Sequence, residues 1–297
     1  MKPSSGKKKH SKIQTICIIG FLICVCLLAY PTIADRWNKY RDSKLITRYI
    51  DKVDRDVTQE EQEKEFADAQ AYNADLAKVT TALITEDEYK REDRYEKLLN
   101  PEQDGMMGYL EIPCIDVKEP IYHYANDETL EKGIGHIHGT SLPVGGKNTH
   151  AVITGHRGIP GKKMLTDLNK VGEGDRFYLH ILGKTLAYQV YDIHTVKPNE
   201  VEDLNLEAGR DIVTIITCTP YGVNTDRMLV TGERIPFDES VVKDGEVSTE
   251  KKKSYPDPSF YALMGVLLFL VMFFILTRVV RKRRERKQAE AGKGRSP

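Results

Sequence analysis

Cysteine, tryptophan and net charge are all scarce in this chain of 297 residues, which has five Cys, one Trp and 44 basic against 44 acidic side chains. So few cysteines in this length exclude a disulfide-stapled scaffold. The missing net charge is a balance of opposites. Residues 1–12 hold five Lys and no acid, and residues 278–297 hold nine Lys and Arg and two acids, which leaves residues 13–277 acidic by twelve charges. An acidic centre repels phosphate, so no nucleic-acid partner is expected. The glycine-rich Pro143–Lys147 lacks both the Walker spacing and the hydroxyl after its lysine, where Asn148 stands, and reads as a turn. With 40% hydrophobic residues the chain is too apolar to be wholly disordered and long enough for a sizeable core. It has no internal repeat.

Two stretches lack charge altogether: Ile13 to Ala34, and Phe260 to Thr277. At about 1.5 Å per residue each is long enough to cross a hydrocarbon core of roughly 30 Å. Membrane helices are therefore expected over 13–34 and 260–280. Lys and Arg gather on the cytoplasmic side, so the basic tails 1–12 and 281–297 should be cytoplasmic and everything between the spans extracellular. A cleaved signal peptide is the other reading of the first run, although Thr32-Ile33-Ala34 is a poor small-x-small cleavage site. Cys17, Cys24 and Cys26 inside that run serve as small apolar fillers. Cys114 and Cys218 remain in the exported part, either paired with each other or kept apart.

Residues 36–98 contain no Gly and no Pro. Leu45, Ile46, Tyr49, Ile50 and Val53 recur there at helical spacing, so 35–100 is expected to form amphipathic helices. They read as a solvated stalk, or as an element covering a site. From 101 to 237 Gly or Pro returns every few residues between short β-favouring runs: MMGYLEI, THAVIT, RFYLHI, TLAYQVYDI, DIVTIIT and RMLVTGER. With turn signals such as Leu182-Gly183-Lys184, this predicts an antiparallel barrel or sandwich, with a helical turn or two near Lys162 to Leu168. Residues 238–259 are polar, contain proline and read as a linker.

Chemistry is sharpest at Cys218. It follows the β-branched run Asp211–Thr217 and precedes Pro220 and Gly222, so it belongs at the rim of a buried strand. If the strand beginning near Arg227 pairs antiparallel with it, thiol and guanidinium share one rim. A neighbouring cation favours the nucleophilic thiolate, and an arginine fork can alternatively hold a carbonyl or an oxyanion. A strand-end cysteine can also be an inert buried residue. A cysteine nucleophile needs a proton carrier, and among the exported histidines at 123, 136, 138, 150, 156, 180 and 194, His156 stands best, just after THAVIT at the head of a loop. His180 and His194 should pack or face solvent. His136 and His138, two apart, could share a metal, but no third ligand completes the set, and no metal is expected.

Thr154-Gly-His-Arg-Gly158, Thr214-Ile-Ile-Thr-Cys-Thr-Pro-Tyr-Gly222 and Asn224-Thr-Asp-Arg-Met-Leu-Val-Thr-Gly232 resemble, in order and spacing, the His, Cys and Arg motifs of the sortases. Asp104–Pro113, His138–Pro143 and the two apolar runs are similar to class C, the pilin-polymerising sortases of Gram-positive bacteria. The resemblance implies an all-β fold, an eight-stranded sortase-type β-barrel with short helices, preceded by amphipathic helices and flanked by two transmembrane helices. It implies a membrane-embedded cysteine transpeptidase that needs no cofactor. Cys218 would attack an LPXTG-like sorting signal between Thr and Gly and form a thioester. His156 would act as acid and then base, and Arg227 would hold the substrate carbonyl or oxyanion. Thr154, Gly155, Thr217 and Tyr221 stand beside these residues as substrate-binding candidates. The partners implied are pilins or surface proteins bearing the signal, with a pilin Lys as acceptor; the alternative is housekeeping attachment to cell-wall peptidoglycan.

The family pattern is not met everywhere. Ile215 stands where Leu is common, which conserves volume. Asp226 precedes Arg227 where His is frequent, and its carboxylate could compete for the guanidinium. Class C members usually carry an Asp-Pro-aromatic lid, and residues 78–100 contain none, so Thr80–Arg94 is expected to be an altered lid or none. A non-enzymatic surface protein is the remaining class, disfavoured because no LPXTG-like pentapeptide precedes Phe260. Cys114 is expected to be a structural small hydrophobe.

Overall fold

The run of β-branched residues from Asp211 to Thr219 has no low-energy alternative to a buried strand, and around it the barrel is organised. The computed structural model describes residues 7–78, 93–159, 161–200 and 202–237, with 242–243, 246–247, 264–270, 272 and 278. Two units are distinguished, one of Arg36–Ser254 and one of Met1–Asp35 with Tyr255–Pro297.

The larger unit contains β1 (Met106–Ile112), β2 (Val117–His123), β3 (Ile134–His136), β4 (Thr149–Thr154), β5 (Arg176–Ile181), β6 (Lys184–Val196), β7 (Asp211–Thr219) and β8 (Asp226–Ile235). They close into one barrel in the order β1-β2-β3-β4-β7-β8-β6-β5. The expected eight-stranded barrel is thus present, but it is not purely antiparallel. β2 pairs parallel with β3, and β4 parallel with β7. The second pair follows from the β5–β6 excursion, which returns the chain to β4 in the same direction. Leu182 (φ 45°) and Gly183 (φ 73°) turn β5 into β6, where left-handed backbone suits the right-handed twist of a tight hairpin. Leu110, Ile121, Ile134, Ile153, Leu179, Ile215 and Val230, all fully buried, fill the interior. The helical turns expected near Lys162 to Leu168 are hydrogen-bonded turns over 164–167 that run into a short 3-10 turn at Leu168–Lys170.

Helix α1 spans Lys7–Asp56, and α2 spans Gln59–Leu76. Thr58 starts α2 with a capping box: its hydroxyl accepts from the Glu61 N–H while the Glu61 carboxylate accepts from the Thr58 N–H. The solvated stalk gives way here to helices that belong to the core. Ile46, Tyr49 and Val53 of α1 and Phe66, Ala69 and Tyr72 of α2 are buried in the same cluster as Met107, Leu110 and Leu182 of the barrel. Burying each large side chain contributes about 1.5–3 kcal/mol, more than enough to favour docking over a free helix. Polar contacts fix the seat. The Tyr49 hydroxyl donates to the Met107 carbonyl at 2.9 Å and accepts from the Leu182 N–H at 3.0 Å. Asn73 clasps Leu142, donating to its carbonyl at 3.0 Å and accepting from its N–H at 2.7 Å.

Short helices α3 (Asp93–Lys97) and α4 (Asp127–Lys132) complete this unit. Tyr95 of α3 is fully buried among His123, His136 and His138, and its ring meets that of His138 edge-on at 4.4 Å. The expected lid segment, apart from its last residues, and most of the linker lie outside the described residues.

Among the described residues one helix, Ile19–Asp56, is long and apolar enough to cross a membrane, with a mean hydropathy of 1.6 in its most apolar window and none of that window buried. The second apolar run is helical at 264–270, 272 and 278, and the rest of 260–280 lies outside the described residues.

Candidate active site

Three neighbouring strands, β4, β7 and β8, assemble one rim of the barrel. β7 runs between the other two, with Thr154 of β4 level with Ile216 and Arg227 of β8 level with Cys218. Directly opposed residues in an antiparallel pair point to the same face with Cβ atoms about 4.5–5.5 Å apart. Sulfur and guanidinium therefore share this rim. Cys218 is half-buried, as a nucleophile open to a substrate must be. Cys114 is buried and forms no disulfide with it.

On the other side of β7 the ladder to β4 is extended by two further bonds. The Gly155 N–H donates to the Ile216 carbonyl at 3.2 Å, and the Thr217 hydroxyl donates to the Gly155 carbonyl at 2.8 Å. His156, the next residue, thus follows directly on the part of the chain that is tied to Ile216 and Thr217 of β7. Its carbonyl accepts from the Leu165 N–H at 3.3 Å, which closes the following loop back on its root. Arg157 ties that loop to the nucleophile strand, donating to the Thr166 carbonyl at 3.2 Å and to the Thr219 hydroxyl at 3.1 Å. The role of Arg157 was hidden in the sequence. It stands next to His156 in the motif, but its reach to Thr219 is a tertiary contact.

Arg227 turns one amino group back on its own loop, donating from Nη1 to the carbonyls of Asn224 at 3.2 Å and Asp226 at 3.1 Å. Among the described residues no carboxylate pairs with it. Asp226 instead pairs with Lys197 at 2.5 Å and accepts from the Thr225 hydroxyl at 2.6 Å. Lys197 and then Thr225 hold the Asp226 carboxyl below its ordinary value. The competition for the guanidinium considered from the sequence is thereby avoided, because adjacent strand residues point to opposite faces. Among the described residues no hydrogen bond engages Nη2 or Nε of Arg227.

Of the remaining candidates, Thr217 is buried and engaged with Gly155, and Thr154 donates to the Ile216 carbonyl at 3.2 Å. Both brace β4 against β7. Gly155 is buried between those strands. Tyr221, 59% exposed, overhangs the histidine loop: a Cβ added to Gly158, whose φ is +84°, would come within 2.9 Å of its ring.

The other histidines are held elsewhere. His136 accepts from the Tyr95 hydroxyl at Nδ1 (2.7 Å) and faces the Ser141 carbonyl with Nε2 (2.8 Å), and full burial drives its pKa down to about 3. His123 is likewise lowered by burial. His180 lies 2.9 Å from Glu111 and stacks on Tyr109, and His194 lies between Asp192 and Asp203. No group of three or more metal-ligating side chains occurs among the described residues.

Comparison with known proteins places these features in a wider set. Residues 110–235 match the family described as the sortase domain. The crystal structure of sortase C1 from Streptococcus agalactiae is 40% identical, with a TM-score of 0.61, over 66% of this chain and 100% of that one. Sortase C of Streptococcus pneumoniae, whose structure bears on pilin substrate specificity, is 39% identical, with a TM-score of 0.58, over 65% of this chain and 97% of that one. Sortase A of Streptococcus agalactiae serotype III is 29% identical over 147 residues, taking in 46% of this chain and 59% of that protein. The chain thus spans less than two thirds of that relative's length.

Proposed function

Because the chain belongs to the sortase family, whose members are cysteine transpeptidases, we propose that it polymerises pilins by transferring an LPXTG-like sorting signal to a lysine amine. The observation that carries this reading is the Cys218–Arg227 cross-strand pair, with the His156 loop fastened on the other side of β7. The Cys218 thiolate attacks the Thr carbonyl of the signal, and Arg227 holds the resulting oxyanion with its open donors. The carbon–nitrogen bond to Gly breaks, and the leaving amine takes a proton from the His156 imidazolium. The acyl group stays on sulfur as a thioester, which keeps it activated without an external energy source. A lysine amine then attacks, gives its proton to His156 and forms an isopeptide bond as the carbon–sulfur bond breaks. Tyr221, exposed above the histidine loop, lines the approach to this centre, and Thr154, Gly155 and Thr217 support it from beneath by bracing β4 against β7.

In the same reading the chain crosses the membrane twice, over 13–34 and 260–280, with both termini cytoplasmic and the barrel outside. Thr80–Arg94 is an altered lid or leaves the site open. Tethering enzyme and substrates to one surface raises their effective concentration. A second reading, attachment of surface proteins to peptidoglycan, is favoured by the sequence likeness to sortase A. Incubation with a sorting-signal peptide and either a pilin Lys or a peptidoglycan amine separates the two by product mass. An isopeptide product with the pilin supports the first, and a product only with the peptidoglycan amine supports the second. Reporter fusions at each terminus test the topology.

A further inference from the structure

The loop from Gly155 to Leu168 carries His156 and is fastened in two places. Near its root Arg157 binds it to Thr219. At its tip the fastening leads away from the barrel rim to α1. Asn38 of α1 donates through Nδ2 to the Gly161 carbonyl at 2.7 Å. Beside it Lys162, only 7% exposed, sets its ammonium 3.1 Å from Asp42 of α1 and 3.2 Å from Glu119 of β2, and donates to the Lys132 carbonyl. Asp42, 1% exposed, also lies 3.4 Å from the Arg41 guanidinium, so two cations face two carboxylates.

A buried ion cluster of this kind is a poor source of net stability, because desolvation offsets the attraction, but it is strict in geometry. The ammonium donates to the Lys132 carbonyl and stands within ion-pair distance of both carboxylates, which together seat Lys162. Two of the groups that define that seat and its neighbour, Asp42 and Asn38, lie on a helix and not on the barrel. We propose that Asn38 and Asp42 are positioning residues for His156: acting through Gly161 and Lys162, they hold the histidine loop where its imidazole meets the Cys218 sulfur. The inference rests on the reading of His156 and Cys218 as proton carrier and nucleophile. Proton transfer between them requires hydrogen-bond reach, and a misplacement of about 1 Å can lower a rate on the order of a hundredfold.

The test uses the full chain in detergent micelles with Asn38→Ala, Asp42→Asn and, as control, Asp116→Asn. The control removes an exposed 3.3 Å ion pair with Lys39 on the same helix. Two quantities are read: the pH midpoint of Cys218 alkylation by iodoacetamide, and kcat and KM for a sorting-signal peptide with hydroxylamine as acceptor. Asn38→Ala is expected to melt like wild type, shift the alkylation midpoint and lower kcat about threefold to tenfold at unchanged KM. Asp42→Asn should act in the same direction and more strongly, and Asp116→Asn should change neither quantity. Wild-type midpoint and kcat in Asn38→Ala would overturn the inference. If the wild-type chain turns over no peptide, the transpeptidase reading fails instead, and the alkylation midpoint of Asn38→Ala still decides whether α1 is felt at the sulfur.

Discussion

Cys218 and Arg227 face each other across the β7–β8 ladder, one rung below its open end, so the guanidinium is fixed to the nucleophile by backbone pairing and not by a flexible loop. Among the described residues its hydrogen-bond partners are the Asn224 and Asp226 carbonyls, which orient it without neutralising it.

Arg227→Lys should therefore be severely impaired although the charge is kept. A point ammonium lacks the planar fork that turns Nη1 to the Asn224 and Asp226 carbonyls while presenting its other nitrogens to a substrate oxygen. Thioester formation, trapped with hydroxylamine, is expected to slow by about 10²–10³, as on loss of one oxyanion donor. Near-normal formation would remove the oriented role from Arg227.

Asp226→Asn should leave that rate within about twofold of wild type, since an exposed ion pair is worth little and Asp226 engages Lys197 and Thr225. A large loss would mean that Asp226 reaches Arg227 during turnover.

The strands were readable where β-branched, aromatic and other apolar residues run between turn signals, as in β1, β4, β5, β6, β7 and β8. β2 was hidden by Pro120 in its middle, and β3 by its length of three residues. The α1 and α2 segment showed its apolar stripe through Ile46, Tyr49 and Val53, but a stripe does not say what covers it, and a charged surface elsewhere on the helix suggested a stalk. The Cys218–Arg227 register could be read because one short loop joins the two strands. Asn38–Gly161 and Asp42–Lys162 could not, since each joins residues more than a hundred positions apart through a fold that local pattern does not encode.

Tyr49→Phe tests the docking of α1. It deletes the acceptor of the Leu182 N–H and the donor to the Met107 carbonyl, both buried. Leaving such groups without partners costs about 1–3 kcal/mol, to be seen as a lower melting temperature of the full chain. An unchanged melt would show that the apolar contacts alone seat the helix.

Stability should fall in acid through His136. Its pKa is depressed from an ordinary 6.5 to about 3 by burial, so the folded chain binds fewer protons than the unfolded one across that window. The contribution is complete above the ordinary value and is lost as the pH drops toward 3. His136→Gln should lower the melting temperature at neutral pH yet show a shallower decline on acidification. A parallel decline in both proteins would assign the acid sensitivity to other groups, such as the buried His123.

Acyl transfer to Cys218 is tested most directly by intact-mass measurement of the full chain after incubation with an LPXTG-containing peptide. The account predicts an adduct on Cys218 equal to the peptide cleaved after its Thr, discharged on adding a lysine side-chain amine and absent from Cys218→Ala. Absence of any adduct at Cys218, or equal peptide turnover by Cys218→Ala, would contradict it.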